Sequence, residues 1–197
     1  MVDVLNSYHY NAQYAETLAD ARTIVLDMIP EGASIALGGS ETLAAMNIID
    51  TLRSDRYKLF DRYANRPHEE IVEVMRQSLL ADVLLTGTNA ITRRGELVNL
   101  DCSGNRVSAM IFGPKKVIIV AGANKVVETL DDAMKRVKQV APMNAKRIKH
   151  ETPCVETGRC MDCHTPKRLC NYLTVIYHGM KFEGRLNVIM VAEETGF

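Results

Sequence analysis

The chain of 197 residues is long enough to bury a core of its own, and its 47% apolar and 24% charged content is that of an ordinary globular protein. Lys and Arg number 24, as do Asp and Glu, so the net charge gives no reason to expect nucleic acid or an anionic membrane as partner. No apolar run approaches the roughly 20 residues that span a bilayer, and the first residues lack the pattern of a secretory signal. The sequence therefore predicts a cytoplasmic protein without a membrane span or bound nucleic acid.

Short strands alternate with helices along the first 140 residues. Strands are indicated by short β-branched or leucine-rich runs, and helices by apolar residues that recur every three or four positions. The predicted strands are 34–37, 57–60, 83–85 and 116–120, with 11–14 as a candidate first strand, and the predicted helices are 17–29, a segment after the loop 38–42, a segment that Pro67 opens, and 129–140. This alternation predicts an α/β fold with a mostly parallel sheet flanked by helices.

Three further segments complete the core. Residues 89–98 are typical of a hairpin, while the periodicity of residues 105–111 leaves helix and strand open. Pro142 is expected to end the helix before it, because proline lacks the N–H that a helix interior needs.

The tail changes character after residue 150. Residues 153–170 are predicted to form a cysteine-rich loop, followed by two final strands at 173–177 and 186–191. We expect one domain over residues 1–197, with the cysteine-rich segment inserted before the last strands.

The loop after the strand 34–37 is the first candidate site. Gly38 and Gly39 let the backbone curl around a ligand, and Ser40 and Thr42 add hydroxyls at a helix start, which suits a phosphate or carboxylate. The alternative is that the glycines only turn the chain and Ser40 only caps the helix. Glu41 opposes a strongly negative ligand unless its side chain points away.

Polar residues also gather just past the ends of two predicted parallel strands, where open α/β sheets bind ligands. Arg106 is a candidate clamp for a carboxylate or phosphate, and Lys125 a candidate point charge. Asp101 is a candidate base, with Asn89 and Asn105 beside it. The alternative is turn chemistry, since Asn and Asp beside Gly are good turn formers.

Four of the five cysteines, Cys154, Cys160, Cys163 and Cys170, lie within 17 residues. In a reducing compartment, clustered thiols are more often metal ligands or redox groups than disulfides. One C-x-x-C pair with two flanking thiols supplies the ligands of a zinc ion or an iron–sulfur cluster, and the spacing does not distinguish the two. Redox-active, disulfide-forming or inert cysteines are the alternatives. Cys102, outside the cluster, is expected to be a small, semi-buried residue.

The motifs together resemble a known family. In chain order they are GGSETL, TGTNAIT, GELVN, DCSGNRVSA, FGPKKVIIV, GANK and PCVETGRCMDCHTPKRLC. This set is similar to the LUD-domain family, the lactate utilisation proteins. The resemblance implies a fold like that of ribose-phosphate isomerases, glucosamine-phosphate deaminases and CoA transferases. It also implies a part in lactate oxidation together with iron–sulfur partner subunits.

These features lead to one preferred hypothesis and two alternatives. We expect an accessory or catalytic subunit in the oxidation of a small 2-hydroxy acid, with a small anionic metabolite in the pocket and an iron–sulfur cluster on the four cysteines. One alternative is a metabolite-binding enzyme of the isomerase-like fold whose cysteines hold structural zinc. The other is a redox-sensing or interaction protein without catalysis. Homo-oligomerisation stays open.

Overall fold

The computed structural model of the protein describes residues 1–179 and 181–197. Its strands are β1 Asn11–Ala15, β2 Ser34–Leu37, β3 Lys58–Phe60, β4 Val83–Thr86, β5 Ala90–Thr92, β6 Leu97–Asp101, β7 Lys116–Gly122, β8 Val126–Val127, β9 Tyr172–Ile176 and β10 Leu186–Val191. Its α-helices are α1 Val2–Ser7, α2 Leu18–Asp27, α3 Glu41–Ala45, α4 Ile48–Leu52, α5 His68–Gln77, α6 Asn105–Phe112, α7 Leu130–Arg147 and α8 Pro153–Thr157.

A six-stranded sheet forms the centre of the molecule. Its order is β1-β10-β7-β4-β2-β3, and every neighbouring pair is parallel. Strands β4, β7 and β10 lie inside the sheet, which explains their continuous apolar runs, since such strands are covered on both faces. The predicted α/β fold with a mostly parallel sheet is confirmed.

Helices cover both faces of this sheet. Val25 of α2 and Ile48 of α4 pack in one core cluster with Leu85. Met110 of α6 packs in the opposite cluster with Leu84. Leu84 and Leu85 are neighbours in β4, and consecutive side chains of a strand point to opposite faces. No α-helix of the described chain has the length and apolar content needed to cross a bilayer.

A second, smaller sheet has the order β8-β5-β6-β9. Strands β5 and β6 form the predicted hairpin, and β9 pairs antiparallel with β6, so that Asp101 lies opposite Tyr172. Helix α7 covers this sheet by burying Val137 with Val98. The sequence did not predict this sheet, because its strands have only two to five residues and β9 joins from far along the chain.

The prediction that Pro142 ends a helix is wrong. Helix α7 continues through Pro142 to Arg147. Pro142 removes one backbone hydrogen bond, but Ala141 and Ala145 beside it are buried, and their packing holds the second half of the helix. This extra length carries Arg147 to the candidate site.

Two other segments differ from expectation. The helix after the glycine loop is divided into α3 and α4 at Asn47, which adopts a left-handed conformation with φ of 51°. The cysteine-rich segment, predicted as loop throughout, begins with the short helix α8, which ends at Gly158 with φ of 69°. Residues 105–111, where the periodicity left helix and strand open, belong to α6.

Candidate functional site

A cavity of about 140 Å³ lies beyond the ends of several strands of the two sheets. It is walled by the loops that follow β2, β4 and β6, by the second half of α7, and by the end of the cysteine-rich segment. Strand ends in open α/β sheets are the expected place for a ligand. We call this cavity the main pocket.

Seven of the nine residues predicted to bind a ligand line the main pocket. They are Gly39, Ser40, Asn89, Asp101, Asn105, Arg106 and Lys125. The other two lie behind the wall. A side chain at Gly38 would collide with Thr86, so glycine is required there for close packing. Thr42 is fully buried and accepts a hydrogen bond from Lys125.

The loop of residues 38–42 brings its backbone and the Ser40 hydroxyl close to the loop that follows β4. A Cβ atom at Gly87 would lie 2.8 Å from Ser40 Oγ, so the two loops touch. Ser40 Oγ also accepts a hydrogen bond from the backbone N–H of Leu43 at 3.4 Å, which caps α3. Ser40 therefore both caps α3 and lines the main pocket.

Arg106 is buried below the pocket, and protein atoms occupy its whole guanidinium. Five N–H groups meet five acceptors: Nε donates to Asp101 Oδ1 at 3.0 Å, Nη1 to Asn99 Oδ1 at 2.6 Å and Gly87 O at 3.2 Å, and Nη2 to Asn89 Oδ1 at 3.1 Å and Leu100 O at 3.3 Å. Burial lowers the pKa of Arg106, and Asp101 opposes that shift. The predicted direct clamp on a ligand has no free N–H here, so this geometry favours a positioning role.

Asp101 keeps one oxygen without a partner. Its Oδ1 accepts from Arg106, whereas the buried Oδ2 has no hydrogen-bond partner among the described residues, although Asp101 lines the pocket. An unpaired buried carboxylate oxygen is costly. A hydroxyl or ammonium group of a ligand would remove that cost by donating to Oδ2.

Lys125 supplies a positive charge from the pocket floor. It is 4% exposed, and its Nζ donates to Thr42 Oγ1 at 3.0 Å. Burial, with smaller contributions from the nearby positive charges of Arg136 and Arg106, lowers its pKa to about 8. An anion beside this ammonium would favour its charged form.

Two arginines that line the main pocket were not predicted from the sequence. Arg147 lies at the end of α7, with its Nη2 3.5 Å from a Cβ atom built on Gly39 and its Nε 3.3 Å from Glu41 Oε1. Arg62 lies between β3 and α5 and also lines the pocket. Arg147 was not predicted because the helix was expected to end at Pro142, before it. Arg62 was not predicted because no recognisable motif surrounds it.

Positive charge exceeds negative charge around the main pocket. The lining cations are Arg62, Arg106, Lys125 and Arg147, and the lining carboxylates are Glu41 and Asp101. A cavity with this imbalance suits an anion. Cys102 also lines the pocket and is a half-buried free thiol. Burial raises the pKa of this thiol.

The four clustered cysteines line one small neighbouring cavity of about 20 Å³, which we call the cysteine cavity. It shares Ala141, Leu169 and Cys170 with the main pocket. The four thiols are free, and Cys154 Sγ lies 3.1 Å from Thr152 Oγ1. The structure therefore gathers the predicted ligand set at one place.

The donor set fits a four-thiolate metal or cluster in kind and number. The side-chain positions are not those of a bound site: among residues 1–179 and 181–197, no group of three or more His, Cys, Asp or Glu is arranged to hold a metal ion. Burial, with smaller contributions from the neighbouring Cys160 and Cys154, raises the pKa of Cys170 to about 11.

Comparisons with known proteins give a family and a fold. A profile described as the LUD domain matches residues 1–191. A DUF162 family protein from Deinococcus radiodurans is similar over 97% of this chain and 93% of its own, with a TM-score of 0.52 at 15% identity. No curated protein sequence matches.

Two structures from Chaetomium thermophilum are similar over less of the chain. For eIF2B delta the likeness covers 67% of this chain and 54% of the other, with a TM-score of 0.37 at 17% identity. For the eIF2B-beta2-delta2 complex it covers 63% and 44%, with a TM-score of 0.36 at 18% identity.

The profile covers nearly the whole chain, so it decides the family, while the structural likeness at 15% identity concerns the fold alone. The resemblance that the motifs predicted is confirmed. The chain belongs to the LUD-domain family.

Proposed function

We propose that this protein binds a small 2-hydroxy carboxylate in the main pocket and serves its oxidation as an accessory or catalytic subunit. Membership of the LUD-domain family supports a lactate-utilisation-type protein. The observation that carries the proposal is the main pocket itself, where four cations face two carboxylates and Asp101 keeps an unpaired oxygen.

The carboxylate of the ligand belongs near the cations with free donors. Arg147 Nε is buried and has no hydrogen bond among the described residues, and Glu41 is its ion-pair partner. Lys125 adds charge from below. Hydrogen bonds to charged groups are worth about 1.5–3 kcal/mol each, enough to bind a small anion when two or three act together.

The 2-hydroxyl belongs at Asp101. Its Oδ2 is an acceptor without a partner, and Arg106 holds Oδ1 in place at 3.0 Å. A carboxylate in hydrogen-bond reach of a hydroxyl orients it and can take its proton. We assign Asp101 to orienting the hydroxyl and Arg106 to positioning Asp101.

Cys154, Cys160, Cys163 and Cys170 are the residues that would hold an iron–sulfur cluster, with zinc as the alternative. A cluster would supply one-electron transfer beside the pocket, whereas zinc would only order the segment. Metal analysis and the visible spectrum of protein purified without oxygen distinguish them. Brown protein with iron and sulfide supports the cluster, and colourless protein with zinc supports a metabolite-binding protein with a structural ion. Absence of both under these conditions favours a redox-sensing or interaction protein.

Calorimetry with two ligands tests the pocket. We expect L-lactate to bind more tightly than propionate, which lacks the 2-hydroxyl. Asp101→Asn should remove that preference, because the side-chain NH₂ group that replaces Oδ2 cannot accept a hydrogen bond from the 2-hydroxyl. Arg147→Gln should weaken the binding of both ligands by about 1.5–3 kcal/mol.

Arg56→Gln is the matched control, since Arg56 is exposed and pairs loosely with Glu31 at 3.9 Å outside the pocket. Equal affinity of wild type and Arg147→Gln for L-lactate, or a lactate preference that survives in Asp101→Asn, contradicts the proposed site.

A further inference from the structure

The main pocket and the cysteine cavity share a wall. Ala141 of α7 and the consecutive residues Leu169 and Cys170 line both cavities. One of the four clustered cysteines therefore belongs to the ligand pocket as well. Any change that orders or moves this cysteine also changes the surface that a ligand in the main pocket meets.

Asn171 joins the cysteine-rich segment to the part of the pocket that carries Asp101. Its backbone N–H donates to Asp101 O at 3.0 Å, and its side-chain Nδ2 donates to Cys102 O at 3.0 Å. The same Nδ2 donates to Arg168 O at 3.0 Å. One side chain thus holds the end of the cysteine-rich segment against the end of β6.

Arg168 extends this connection back to the cysteines. Its Nε donates to Cys170 O at 2.8 Å, its Nη1 donates to Cys163 O, and its Nη2 donates to Asp162 Oδ1 at 2.8 Å. The loop between Cys163 and Cys170 is therefore closed by one guanidinium and is continuous with the Asn171 contacts.

We infer that the two cavities are coupled: a thiophilic metal bound by the four cysteines orders the Asp101–Cys102 wall of the main pocket through Asn171 and thereby tightens binding of the small anion. The inference rests on the proposed function for the identity of that anion. Coordination fixes a loop whose ordering otherwise costs conformational entropy. A second ligand that meets an already ordered wall no longer bears that cost, which gives positive cooperativity.

Charge acts in the opposite direction. Four thiolates around a divalent ion carry two net negative charges, which repel an anion. A cation beside the thiols reduces this repulsion, because the Arg168 guanidinium donates to the backbone carbonyls of both Cys163 and Cys170. We therefore expect the ordering effect to be larger.

Hydrogen exchange tests the coupling without any anion. Reduced protein is compared with and without one equivalent of Zn²⁺, and Cys160→Ser/Cys163→Ser shows whether Zn²⁺ acts at the cysteines. We expect Zn²⁺ to slow exchange in residues 101–106 as well as in 160–172. Failure of Zn²⁺ to bind at the cysteines, or slowing confined to the cysteine-rich segment, overturns the inference.

Asn171→Asp tests the connecting residue. A carboxylate keeps the size of the side chain but cannot donate to the two carbonyls, so Zn²⁺ should bind while residues 101–106 lose their added protection. Asn124→Ala is the control. Asn124 also fastens a segment beside the pocket, by donating to Gly196 O at 3.3 Å, but it has no hydrogen bond to the cysteine-rich segment.

Calorimetry then measures the effect on the anion. We expect Zn²⁺ to increase the affinity for L-lactate at least fivefold in wild type and in Asn124→Ala, and less than twofold in Asn171→Asp. Coupling is reciprocal, so saturating lactate should increase the affinity for Zn²⁺ by the same factor. Unchanged or weaker lactate affinity with Zn²⁺ overturns the inference. If lactate binds neither form, the proposed function fails, and the exchange data still decide whether the cavities are coupled.

Discussion

At the scale of single residues, two arginines of the main pocket differ in what their guanidinium groups touch. Arg106 is buried and gives all five N–H groups to protein acceptors. Arg147 lies nearer the surface with an N–H that has no hydrogen bond among the described residues. The sequence predicted Arg106 as the ligand clamp and did not identify Arg147, because Pro142 was expected to end the helix before it. The contacts assign Arg106 to the fold of the pocket, and Arg147 is the arginine that we propose for the ligand.

Arg106→Met should strongly destabilise the protein. It removes one partner of a buried ion pair and leaves the carboxylate of Asp101 without its cation, which costs about 3–5 kcal/mol. Urea unfolding monitored by circular dichroism measures the change. Arg106→Met/Asp101→Leu should recover part of the loss, because neither charge is then left alone. A loss below about 1 kcal/mol for the single variant would show that the pair contributes little.

Lys125 should make stability rise with pH in a defined window. Its pKa is about 8 in the folded protein against 10.5 for an ordinary lysine. Between these values the unfolded chain binds the proton that the folded protein has released, so the free energy of unfolding increases with pH. The increase relative to Lys125→Met should reach roughly 3 kcal/mol over the window, from 1.36 kcal/mol per pKa unit.

Urea unfolding of both proteins at a series of pH values gives that difference. Lys58→Met removes an exposed lysine of β3 and controls for the change in net charge. A difference between wild type and Lys125→Met that stays constant from neutral pH upward contradicts the assignment.

At the scale of elements, Arg185, which directly precedes β10, fixes the end of α6 to that strand. It is 8% exposed, and it donates to carbonyl oxygens of Ala109 at 2.9 Å, Met110 at 2.7 Å and Pro114 at 2.8 Å. The last carbonyls of a helix have no partner within the helix. Arg185 supplies partners from the position before β10, which ties the helix that begins at the pocket to the central sheet.

Arg185→Met should therefore lower the free energy of unfolding by at least about 3 kcal/mol, since several bonds from a charged donor are lost and buried carbonyls are left unpaired. Urea unfolding measures the loss, and hydrogen exchange should increase in residues 105–112. Arg76→Met on the exposed face of α5 is the control. Equal stability of the two variants would mean that water replaces Arg185 at these carbonyls.

At the scale of the whole molecule, the cysteine-rich segment is separate from the six-stranded sheet. All strands of that sheet lie outside residues 153–170. Within residues 153–170 only Cys154 is buried, so little buried apolar area orders this segment. Metal coordination would therefore affect this segment first.

Cys160→Ser should release the proposed metal and increase hydrogen exchange in residues 154–170, while the central sheet keeps its protection. Metal content and hydrogen exchange of the anaerobically purified variant measure both effects. Cys102→Ser is the control, because Cys102 lies outside the cysteine cavity. Full metal occupancy in Cys160→Ser would remove that cysteine from the ligand set.

The sequence by itself determined the central sheet, because local patterns suffice for it. Continuous apolar runs such as residues 83–85 are typical of strands that are covered on both faces, and the glycine and asparagine turns after them bring polar groups to the strand ends. The motifs also determined the family, and seven of the nine expected pocket residues face one cavity.

Only the tertiary structure decided the rest, because it depends on contacts between distant parts of the chain. Packing carries α7 past Pro142 and brings Arg147 to the pocket, against the local preference of proline. The pairing of β9 with β6 brings Asn171 to Asp101, about 70 residues away along the chain. Hydrogen-bond saturation of Arg106 depends on how α6 packs against β6, which supplies three acceptors, and against the loop after β4, which supplies two.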